Sequence, residues 1–75
     1  MIEKEKLDKI REILPSGSYG KISEATGFSE AYVSMVMRGE RPVHINNINI
    51  VKCAIQLVEK QAKELKEIIS KLNNL

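Results

Sequence analysis

Between Asn47 and Leu72 the chain contains neither glycine nor proline. An uninterrupted helix of about 26 residues is roughly 39 Å long at 1.5 Å per residue. A compact chain of 75 residues has a radius of gyration of about 11 Å and so a diameter near 30 Å. The last helix is therefore expected to outgrow the body it starts from. Its apolar residues Ile48, Val51, Ile55, Val58, Ala62, Leu65, Ile69 and Leu72 are spaced alternately by three and four. That is a heptad seam. A second stripe, Ile50, Ala54 and Leu57, accompanies only its first half. Residues 47–57 are thus expected to pack on the body with two faces, leaving 58–72 with one apolar face for another helix. Two partners compete for that face. One is a second copy, which makes Val58, Ala62, Leu65, Ile69 and Leu72 a dimer interface. The other is the N-terminal helix of the same chain.

The remaining segments also read as helices, with no strand and no internal repeat. Leu7, Ile10 and Leu14 mark an amphipathic helix over 3–14, widened by Ile13 and stopped by Pro15-Ser16-Gly17. Ser18 is a candidate N-cap for a short second helix to about Thr26, with Ile22 and Ala25 inward. Gly27 ends it in a tight left-handed turn. Ser29 caps a third helix, with Glu30 in the first turn and Val33, Val36 and Met37 inward, ending at Gly39. Asn46 is the expected cap of the long helix, with Ile45 and Ile50 as a hydrophobic staple around it. The fold class is all-α: one domain over 1–75, three to four helices, with a long C-terminal helix over 47–73.

Charge excludes the simplest mode of nucleic-acid binding. Lys and Arg number 12 against 10 Asp and Glu, a net charge of +2, too little to bind a polyanion by bulk attraction. Residues 1–14 cancel, as do 15–44, where Lys21, Arg38 and Arg41 oppose Glu24, Glu30 and Glu40. Any such binding must rest on geometry, including the N–H groups at helix N-termini. The single cysteine, Cys53, cannot form an internal disulfide; it fits a reducing cytosol and reads as a packing residue. His44, the only histidine, has no second ligand nearby. No nucleophile–base pair, phosphate loop or paired carboxylates are present, so neither catalysis, a metal nor a cofactor is expected. No apolar run has the length of a membrane span, and the charged start MIEKEKLDKI lacks a secretory signal.

The most informative stretch is YGKISEATGFSEAYVSMVMR, residues 19–38. It resembles the helix-turn-helix of the lambda-repressor/Cro and lac-repressor families. Ile22 is the inward residue of the first motif helix, and Gly27 holds the turn. Phe28 plugs the turn from below, while Val33 and Val36 are the inward residues of the second helix. Ser23 stands at the close crossing where these families usually have alanine. The resemblance is close over 18–41 and loose over 7–57. It implies that the first helix crosses the phosphate backbone and the second lies in the major groove. Carried over by position, Glu30, Ala31, Tyr32 and Met35 fall among the base-reading residues. Ser18, Tyr19, Lys21, Ser29, Ser34, Arg38 and Arg41 fall among the phosphate contacts. Glu30 can accept from cytosine N4, and Ala31 or Met35 can meet a thymine methyl. The plainer roles remain open: Glu30 as a helix-start acid, Met35 as core, Arg38 and Arg41 solvated or paired with Glu40.

The expected function is sequence-specific binding of double-stranded DNA by a cytoplasmic, dimeric transcriptional regulator of phage-repressor type, with no small-molecule ligand. The alternative is a helical interaction or oligomerisation module, in which the motif is only scaffold.

Overall fold

The computed structural model describes residues 3–75. Four helices follow one another: α1 (Lys4–Ile13), α2 (Ser18–Thr26), α3 (Glu30–Met37) and α4 (Ile48–Asn73). The described residues form no strand. The molecule measures 47 × 25 × 19 Å with a radius of gyration of 14.1 Å, well above the value for a compact chain of this length. The excess is the second half of α4, which leaves the body as a free rod.

The core is one cluster. Leu7 of α1, Ile22 of α2, Val33, Val36 and Met37 of α3, Val43 of the following loop, and Ile50, Val51 and Ala54 of α4 are all buried. Each was expected inward from its helical period except Val43, which sits in a loop that periodicity does not describe. Ile10, Leu14, Phe28 and Leu57 pack around the cluster. Fully burying each large aliphatic side chain stabilises the fold by roughly 1.5–3 kcal/mol.

Several local expectations need correction. Asn46 is exposed and does not cap α4; the helix begins one residue later, after Asn47. Ile45 is 86% exposed while Ile50 is fully buried, so no staple joins them. Ala25, expected inward, is exposed, as is Ile13. Ser18 is the first helical residue of α2, and its hydroxyl donates to the Pro15 carbonyl at 2.5 Å instead of capping. The N-terminal helix does not cover the seam of the rod: α1 buries Leu7 in the body, and every residue from Glu59 to Leu75 is exposed.

Asn47 is the one fully buried amide. Its Oδ1 accepts the His44 backbone N–H at 2.8 Å. Its Nδ2 donates to the Pro42 carbonyl and to the Tyr32 hydroxyl, both at 3.0 Å. Both amide hydrogens and the carbonyl are therefore satisfied, as a buried polar group requires. One side chain ties α3, the α3–α4 loop and the start of α4 together. Asn47→Ala strands the loop groups that it satisfies. A loss of about 2–4 kcal/mol is expected in urea denaturation, against about 1 kcal/mol for Tyr32→Phe, which removes one bond.

Candidate nucleic-acid interface

The two helices of the motif are held by a turn whose every residue has a defined anchor. Gly27 has φ 83°, the left-handed conformation expected there, and its N–H donates to the Ser23 carbonyl at 2.9 Å. The Ser23 hydroxyl donates to the Phe28 carbonyl at 2.6 Å. Serine at this close crossing remains small and adds a bond across the turn. Thr26 donates to the Ile22 carbonyl at 2.7 Å and accepts from the Phe28 N–H at 3.4 Å. Ser29 caps α3, its hydroxyl accepting from the Tyr32 N–H at 3.1 Å. The Phe28 ring, half-buried, lies 5.0 Å from the Tyr32 ring.

With Val33, Val36 and Met37 fully buried, the rest of α3 is turned outward. Glu30 and Ala31 are exposed, and Ser34 and Met35 are half-buried beside them. These four share the outer face of α3. Tyr32 differs from the other expected readers, because its ring stacks on Phe28 and its hydroxyl is held by Asn47.

The expected phosphate contacts divide. Ser18 is 4% exposed and its hydroxyl is committed to Pro15, so its side chain is not available to a phosphate. Tyr19 is half-buried against the core, whereas Lys21 and Ser29 are exposed. Arg41 is exposed. Arg38 pairs with Glu40 at 2.8 Å, both about half exposed; such an exposed pair is weak and exchanges readily.

At the start of α2 the Ser18 N–H bonds to Pro15 and the Lys21 N–H to Gly17. The Tyr19 and Gly20 N–H groups between them are open first-turn donors at the positive end of the helix dipole. They border an open concavity of about 360 Å³ lined by Arg11, Pro15, Gly17, Tyr19, Gly20 and Glu30. The Glu30 carboxylate reaches back over this turn: an added Cβ on Gly20 would lie 3.4 Å from its Oε1. Arg11, hydrogen-bonded to Asp8, brings a cation to the concavity from outside the motif. Nothing in the motif register points to it; only the placement of α1, which packs on α3 and α4, does.

Among the described residues no group of three or more His, Cys, Asp or Glu side chains could hold a metal. No helix of the described residues is long and apolar enough to cross a membrane. No family model matches the chain, and no curated protein or solved structure matches it either.

Two glycines of the motif should respond oppositely to the same change. Gly20 lies inside α2, and an added methyl meets only the Glu30 carboxylate at ordinary contact distance. Gly20→Ala is expected to raise stability by up to about 1 kcal/mol. Gly27→Ala, at φ 83°, should cost about 1 kcal/mol or more. Thermal unfolding followed by circular dichroism separates the two signs.

Proposed function

We propose that the chain binds double-stranded DNA sequence-specifically, with α3 in the major groove and the start of α2 on the phosphate backbone. It would thus act as a small cytoplasmic transcriptional regulator of phage-repressor type. The observation that carries this reading is the division of α3. Its inner face is fully buried and its cap and turn are fixed, while Glu30, Ala31, Ser34 and Met35 form a rigidly mounted outer face. Beside that face lie two open backbone donors and the cation Arg11, with Arg41 exposed beyond the end of α3; Lys21 instead lines a depression with Gln56, Leu57 and Lys60 of α4. Glu30 rests over the donors in the free protein. On DNA a phosphate takes those donors, and the carboxylate turns to a base edge, where cytosine N4 is its natural donor. Tyr32 supports α3 from below and takes no part in readout.

Few cations line this face, so about three to five phosphate contacts per subunit are expected. Raising salt from about 50 to 200 mM should then weaken binding of a single subunit roughly 40- to 500-fold. Gel shifts against a selected pool of duplexes test this. No enriched sequence and no shift at low salt would leave an interaction module without DNA binding as the correct reading.

Single substitutions test the roles. Glu30→Ala and Met35→Ala should alter which bases are preferred, at about 1–3 kcal/mol per affected position. Arg11→Ala and Arg41→Ala should weaken binding to all sequences about equally, since phosphate contacts carry no sequence information. Selection experiments on each variant read the difference. The opposite pattern would mean that the reading face is rotated about the α3 axis.

A further inference from the structure

The free half of α4 repeats, five turns later, the face that the first half buries. Eighteen residues make five full turns of an α-helix, about 27 Å, so positions 18 apart share one azimuth. Ile48 and Cys53 pack on the body at the margins of this face, with Lys66 and Lys71 as counterparts; its centre is Asn47, the cap, with Ile50, Val51, Ala54 and Leu57 of α4. Their counterparts are Leu65, Ile68, Ile69, Leu72 and Leu75, all apolar and each at least half exposed. The rod therefore presents a continuous apolar strip on the side where the body sits, beyond the body's edge. This azimuth lies slightly to one side of the heptad seam, because Ile68 and Leu75 join it and Ala62 falls at its margin.

We propose that this strip pairs with that of a second copy in an antiparallel, two-fold arrangement, with Leu65 opposite the second copy's Ile68. The inference concerns the rod alone and does not rest on DNA binding. Orientation follows from the body. In a parallel pair both bodies would occupy the same level on the facing sides of the two helices, where the neighbouring helix must lie. In an antiparallel pair the bodies stand at opposite ends, and each rod fills the space alongside the other.

Register follows from the side chains. Val58, Leu65 and Leu72 alternate by three and four with Gln61, Ile68 and Leu75. Setting Leu65 against Ile68 of the second copy brings Gln61 to Leu72 and Val58 to Leu75. The overlap then begins where the body ends, since Leu57 packs on the core and Glu59 onward is exposed. On one flank this register sets Glu64 against the second copy's Lys71, twice by symmetry. On the other it sets Ala62 against Ile69, apolar on apolar. A parallel pair sets Glu64 beside Ile69 and forms no such ion pair. The isologous arrangement is the commonest form of dimer.

Sedimentation equilibrium on the full chain tests the proposal, with circular dichroism reporting the fold. The parent should dimerise at tens of micromolar, and Leu65→Glu should remain folded but monomeric. Glu64→Lys sets lysine against Lys71, and Lys71→Glu sets glutamate against Glu64; each should weaken the dimer about tenfold, the size expected from two lost exposed pairs and two repulsions. The double variant Glu64→Lys/Lys71→Glu should recover parental affinity. An equimolar mixture of the two single variants should recover it as well, because each then meets its opposite charge in the other chain. A monomeric parent, a dimer unaffected by Leu65→Glu, or unfolding of Leu65→Glu would overturn the interface. A double variant no tighter than the single ones would overturn the antiparallel register.

Discussion

The buried amide of Asn47 is the constraint on which the arrangement of the domain depends. A primary amide without partners is costly inside a core of aliphatic side chains. It is tolerated because its three hydrogen bonds go to three different places: the loop at Pro42 and His44, and the α3 side chain of Tyr32. These bonds can form together only when α4 leaves the body at one angle. Apolar contacts would accept a range of crossing angles, whereas directional bonds accept very few. The direction in which α4 departs, and hence where its free half points, follows from a single side chain.

The same bonds explain why α3 presents a definite face. Tyr32 is anchored by Asn47 through its hydroxyl and by Phe28 through its ring. At the same end, Ser29 holds the first turn of α3 by accepting from the Tyr32 N–H. Beyond these anchors Val33, Val36 and Met37 are fully buried, so neither rotation nor sliding of the helix is available without loss of packing. The outer residues Glu30, Ala31 and Met35 are therefore carried on a fixed mount, the condition for reading one surface of a partner rather than many.

Much of this was legible in the residues because it is periodic or local. Ile22, Val33 and Val36 declare the inward faces by spacing, Gly27 declares the turn by its freedom at positive φ, and Ser29 declares the cap by position. What escaped is neither periodic nor local. Asn46 and Asn47 are indistinguishable as candidate caps along the chain, and only the third dimension brings Tyr32, fifteen residues away, to one of them. Ser18 looks like a cap because serine so often is; its nearer acceptor, the Pro15 carbonyl, captures the hydroxyl first. Arg11 reaches the concavity beside α2 only through the way α1 packs on α3 and α4. The long helix was evident from the missing glycines and prolines, but that α1 leaves its outer half bare follows from how little chain α1 offers once Leu7 is committed to the body.

The unbroken course of α4 from body to rod has a mechanical consequence. With no hinge between them, the angular phase of the rod's strip relative to the outer face of α3 is set by residue count alone. Each residue added or removed between Val58 and Glu64 turns the strip by about 100°, leaving its composition intact and its aim wrong. Seven residues restore the aim to within about 20°, and eighteen restore it fully. Length changes in this helix are therefore tolerated only in discrete steps, like the teeth of a gear, while the loops joining α1, α2 and α3 are under no such rule.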